Sequence, residues 1–210
     1  MVRHMFPAIA IAALLCSGCE QAANGSGAST LPTSPSSVAT TSVERPFKAH
    51  FDWWSTGIQW AGVPGQAKSV FDGRCSVPSD YIISSALKGE ATELGRITAE
   101  GSHCSQITWS PQGQPLGVTY SDGRGTLVSA NGSRFALAWD NGVTGFDATT
   151  GETWFRDTLT FSGLSGLFKG ATGTAQEGGR FRDLGAVLSG QRVPMWAEGT
   201  MTWAAGHGTR

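Results

Sequence analysis

The sequence has no basic run that could follow a phosphate backbone. Its 15 lysines and arginines are scattered and stand against 16 acidic side chains, which argues against nucleic acid as a partner. Histidine is sparse. His4, His50, His103 and His207 lie far apart, and none pairs with another at a metal-ligand spacing, so no metal site is expected. No Gly-x-Ser-x-Gly elbow and no phosphate-cradling P-loop occur, which leaves no catalytic constellation and no cofactor to assign. A convincing helical stretch is missing too. In its place stand 29 glycines, abundant Thr and Ser, and eight tryptophans against four methionines, a composition suited to an all-β chain.

The N-terminus reads as an address. Arg3 and His4 form a short positive region, and the apolar run Phe6 to Leu15 has the length of a signal-peptide core, too short to span a bilayer. Ser17 and Gly18 stand directly before Cys19. The stretch Leu15-Cys16-Ser17-Gly18-Cys19 resembles the bacterial lipoprotein signal, in which that last cysteine is diacylated, the leader is cleaved and the new amine is acylated. The resemblance implies a lipid on Cys19 and the bilayer as a partner. Because Glu20 follows rather than aspartate, it also implies the outer membrane of the cell envelope. Removing 18 of the 210 residues leaves 192, enough for one domain with a sizeable core, and 14 basic against 16 acidic side chains.

Residues 19–45 are dominated by Ala, Ser, Thr, Gly and Pro with no periodic apolar face, and are expected to form a flexible linker. The folded domain is expected over residues 46–205, with 206–210 as a tail. Phe47, Ala49, Phe51 and Trp53 alternate with Lys48, His50 and Asp52, which predicts a first strand with one buried face; a loop from Ser55 to Asp80 follows. Ile82 to Thr92 and Arg96 to Cys104 flank a turn at Glu93-Leu94-Gly95. Pairing outward sets Lys88 opposite Glu100 as an exposed ion pair. A second hairpin turns at Asn131-Gly132 and sets Val128 beside Phe135 and Thr126 beside Leu137. Further strands are expected near Thr153 to Phe161 and Trp196 to Trp203. Strands and turns together predict a small antiparallel β-barrel of about eight strands, whose closure removes exposed edges and leaves room for side chains or one small ligand.

Three stretches carry a family resemblance. Gly89 to Arg96 (GEATELGR), Glu100 to His103 (EGSH) and Gly166 to Gly173 (GLFKGATG) look like the signature of secreted bacterial barrels related in fold to allene oxide cyclase and dirigent proteins. Leu164 stands where the first glycine of that group's corner motif falls. The resemblance covers roughly Phe47 to Trp203 and rests on turn and packing residues. It implies the barrel fold and assigns no catalytic residue.

Five residues remain as candidates for structure or binding. Cys75 and Cys104 are the only thiols left once Cys16 is removed and Cys19 acylated, and an oxidising compartment would join them in a disulfide. Asp157 falls on the apolar side of its strand, between Phe155 and Leu159, as a lumen carboxylate or one paired near the barrel mouth. Trp139 either lines a pocket or packs in the core, and His103 shares a face with Ile97 and Ala99 as a wall histidine. The expectation is a membrane-tethered barrel that binds a small apolar molecule or has a structural role. The competing expectation is a cyclase-like enzyme acting on an unsaturated substrate in the lumen.

Overall fold

The computed structural model describes residues 41–182 and 184–205. Cys19, the leader, most of the expected linker and the tail lie outside the described residues. Eight strands follow one another as β1 (Ser42–Trp60), β2 (Tyr81–Ala91), β3 (Gly95–Trp109), β4 (Pro115–Ser129), β5 (Arg134–Asp147), β6 (Glu152–Ser165), β7 (Thr172–Phe181) and β8 (Val193–Ala204). Each pairs antiparallel with the next, and β1 closes on β8 from Ser42↔Ala204 to Trp53↔Val193, so the sheet is an all-β closed barrel. A 3-10 turn (Gly166–Phe168) bridges β6 and β7, and a single short helix, α1 (Leu184–Leu188), lies between β7 and β8.

Period-2 patterning decides which side chains fill the barrel. On β8, Val193, Met195, Ala197, Met201 and Trp203 are buried while Glu198, Thr200 and Thr202 face out. On β6 the same alternation buries Asp157, Leu159 and Phe161. An eight-stranded barrel is only just wide enough for its side chains, so bulky groups need small ones opposite them.

At one end of the lumen the fit is close. Phe47, Phe161 and Phe135 stack with Phe168 of the 3-10 turn and with Trp203. The Phe47–Phe161 centroids lie 4.7 Å apart, and Phe168 meets Trp203 edge-on at 5.7 Å. The turn that delivers Phe168 is held by Gly163 N–H to Ala171 O (2.7 Å), Gly170 N–H to Gly163 O (2.8 Å) and Leu167 N–H to Ser133 Oγ (2.9 Å).

Several local expectations are corrected. β1 opens at Ser42, so residues 42–45 belong to the barrel and not to the linker; it also runs on to Trp60, into the expected loop. In the first hairpin, Leu87 pairs with Ala99, Lys88 with Thr98 and Ala86 with Glu100, so the expected Lys88–Glu100 pair is not formed across the strands. The turn there uses Thr92-Glu93-Leu94, with positive φ at Glu93 and Gly95. In the second hairpin, positive φ falls on Gly132 alone. Ala130 joins the loop, Ser129 N–H donates to Ser133 O at 3.0 Å, and Leu127 pairs with Phe135 and Thr126 with Ala136. A second Asn-Gly dipeptide, Asn141-Gly142, makes no hairpin turn and sits at a register shift inside β5, with Asn141 at φ 56°.

The expected bridge between Cys75 and Cys104 is formed, with Cα atoms 5.8 Å apart. It ties the long β1–β2 connection to β3. Beneath it, Phe71 packs with Ile82 and both sulfurs. Closing a loop of 29 residues' separation stabilises the fold by about 3–4 kcal/mol in the chain-entropy model.

Candidate functional site

The other end of the lumen is not filled. A cavity of about 120 Å³ lies among Phe51, Trp53, Tyr81, Val118, Phe155 and Met195, with Val187 and Leu188 of α1 at its margin. Its lining is mostly apolar, and Asp157, Glu177, Tyr120, His103 and Trp139 also line it. Among the described residues, no lysine or arginine does.

Asp157 and Glu177 are direct partners across β6 and β7. Directly opposite residues share a face with Cβ atoms about 4.5–5.5 Å apart, so the two carboxylates enter the lumen side by side. Asp157 is 4% exposed. Its Oδ2 accepts the hydroxyl proton of Tyr120 at 2.7 Å, while its Oδ1 is buried without a partner. Glu177 keeps more accessible surface, as expected of a side chain bordering an internal void.

Burial raises the carboxyl pKa of Asp157 from the ordinary 3.8 to about 6, against a smaller lowering by the Tyr120 hydrogen bond. Burial and then the neighbouring Asp157 charge push Glu177 well above the usual carboxylate range. Tyr120 is pushed up by burial and by the Asp157 and Glu177 charges, so its phenol keeps its proton and donates it. The pair therefore titrates as a unit and favours holding a proton near neutrality.

His103 and Trp139 form a second polar contact beside the pair. Trp139 Nε1–H donates to His103 Nδ1 at 3.3 Å, which leaves the ring proton on Nε2. Burial lowers the His103 pKa to about 3, so the imidazole is neutral. The His103 ring also lies 4.8 Å from that of Tyr120. Glycine makes this layer possible. Trp139 lies against Gly123 and Gly101, where an added Cβ would collide with its ring, and Gly142 leaves the space that the Tyr120 ring occupies.

Asp157 is thus placed in the lumen, with a tyrosine hydroxyl as its partner. Trp139 lines the cavity, and the face that His103 shares with Ile97 and Ala99 looks into it. Phe155 and Leu159 border the cavity, whereas Phe161 and Met201 belong to the packed end. Glu177 and Tyr120 were not singled out from the sequence. Glu177 carried a signal: it lies between Ala175 and Gly179 on an alternating face of small residues, as Asp157 lies between Phe155 and Leu159. Among the described residues no group of three His, Cys, Asp or Glu could hold a metal ion. The chain matches no family model, and no curated protein sequence matches it.

Proposed function

We propose that the domain is a binding barrel whose open half takes up a small, mostly apolar molecule and orients it by one polar contact to Asp157. The observation that carries this reading is the combination of a mostly apolar-lined cavity with a buried carboxylate oxygen that has no partner. Burying such an oxygen unpaired costs about 1–3 kcal/mol or more, which a bound polar group would return. Pockets of this kind hold ligands by burial and orient them by few polar groups. The test is to incubate the purified protein with envelope lipid extract and identify by mass spectrometry what co-purifies. Recovery of a small apolar compound by the native chain, and a changed preference in Asp157→Asn, is the expected result; no bound compound in either would leave a structural role.

We also propose that the barrel is tethered to the envelope by acylated Cys19, on the strength of the apolar run and the small residues before that cysteine. Cys19→Ser should then yield an uncleaved or soluble form. A variant that still fractionates as acylated mature protein contradicts the assignment.

One observation favours a second reading, an allene oxide cyclase-like enzyme. A carboxyl pair that holds a proton near neutrality beside Tyr120 could move that proton on an unsaturated substrate enclosed in the lumen. Recovery of an altered compound after incubation, abolished by Glu177→Gln, would support it.

A further inference from the structure

Resting on the binding reading, the geometry points to a narrower ligand class: we infer that the Asp157–Glu177 pair receives the ammonium group of a small hydrophobic amine. The two carboxylates face each other across β6 and β7, and no lysine or arginine among the described residues lines the cavity they share. The other titratable groups around the cavity bring no compensating charge. His103 uses Nδ1 as an acceptor and is neutral, Tyr81 and Tyr120 keep their protons, and Glu100 of β3 is acidic and exposed. The negative charge of the pair is therefore uncompensated by the protein itself.

What relieves that charge is constrained by the donors and the space. Asp157 Oδ2 is occupied by Tyr120, while Oδ1 is buried and free to accept. An ammonium offers three N–H donors, enough to meet Asp157 Oδ1 and Glu177 together, and charge-assisted bonds of this type are the strong ones. A hard metal ion would want six or more oxygen ligands, and this site offers two carboxylates with no third acidic partner. A hydroxyl would satisfy one oxygen and leave the charge in place. The rest of the cavity suits the remainder of an amine: Trp53, Phe155 and Phe181 present aromatic surface, which favours a nearby cation as well as an apolar body. At about 120 Å³ the cavity is slightly smaller than an engineered 150 Å³ cavity that accepts benzene, so the ligand is of about that size.

The experiment compares benzylamine with benzyl alcohol, nearly isosteric molecules that differ in charge, by isothermal titration calorimetry on the purified chain at pH 7.5. Benzylamine is expected to bind at least about tenfold more tightly, with release of a proton from the carboxyl pair seen as a buffer-dependent enthalpy. Asp157→Asn and Glu177→Gln should each remove most of that preference, read as the ratio of the two probes' affinities in the same variant. Equal or weaker binding of the amine by the native chain overturns the ammonium inference but leaves the binding reading standing, and this comparison needs no variant to fold. Binding of neither probe overturns both. A preference for the amine that persists in the Asp157→Asn/Glu177→Gln double variant places the cation elsewhere and likewise overturns the inference.

Discussion

The two ends of the lumen are built from the same eight strands and differ in what their connections supply. At the packed end the connections send large apolar groups inward: Leu94 from the β2–β3 turn and Phe168 from the 3-10 turn join Phe135, Phe161 and Trp203. At the cavity end, the β1–β2 connection is tied down by a disulfide outside the lumen, and α1 contributes only Val187 and Leu188. There the strands present small or polar inward groups, including Gly101, Ser85, Ser105, Asp157 and Glu177. One end carries stability and the other gives some of it up for a shaped, charged void. This agrees with the expectation that binding sites depart from the packing rules the rest of a fold obeys.

That contrast can be broken from the packed side with the largest effect. Phe135 is 1% exposed and meets both Phe161 and Phe168. Phe135→Ala should cost about 3–5 kcal/mol, measured by urea unfolding, because the rigid aromatic layer cannot collapse into the space. Next is the tether over the cavity end. Replacing Cys75 and Cys104 together by Ala should cost about 3–4 kcal/mol in the same measurement, the loop-closure term of the denatured chain.

At the cavity end the sign should reverse. Folded Asp157 keeps its proton up to about pH 6, whereas the unfolded chain releases it near the ordinary 3.8. In that window the folded state binds more protons, so this group's contribution is fully present below about pH 4 and is lost as pH rises through about 6. Asp157→Asn removes the loss and should stabilise the protein at pH 8 by on the order of 2–3 kcal/mol, with little change at pH 4. His103 acts oppositely in the native chain. Its lowered pKa gives stability present above about 6.5 and lost as pH falls, so the difference between native and variant curves is the quantity to read. The smallest effect belongs to the outer wall, where Lys48 and Glu198 meet at 3.6 Å with both side chains more than half exposed. Lys48→Ala should change stability by about 0–1 kcal/mol.

Alternation made the strands legible from the sequence, because a half-buried strand writes its two faces into successive residues. For the same reason Asp157 stood out between Phe155 and Leu159. Register was not legible to the residue. Asn131-Gly132 marks a turn, but whether both residues or only Gly132 take positive φ decides if Val128 or Leu127 faces Phe135, and composition does not decide that. The site was half legible. Asp157 and Trp139 could be named, yet their partners Tyr120 and His103 lie 37 and 36 residues away and meet them across an intervening strand of the curved sheet. Glu177 came into view once the β6–β7 register set it opposite Asp157. The cavity itself has no sequence signature, since it results from what the connections fail to fill.

The two halves happen each to hold one methionine: Met195 borders the cavity, and Met201, 1% exposed, lies in the packed end. The most direct test of a divided lumen is therefore methyl NMR of the protein labelled at methionine, titrated with toluene. With a divided lumen the Met195 methyl resonance shifts saturably while that of Met201 stays in place. Equal movement of both, or of neither, would contradict it.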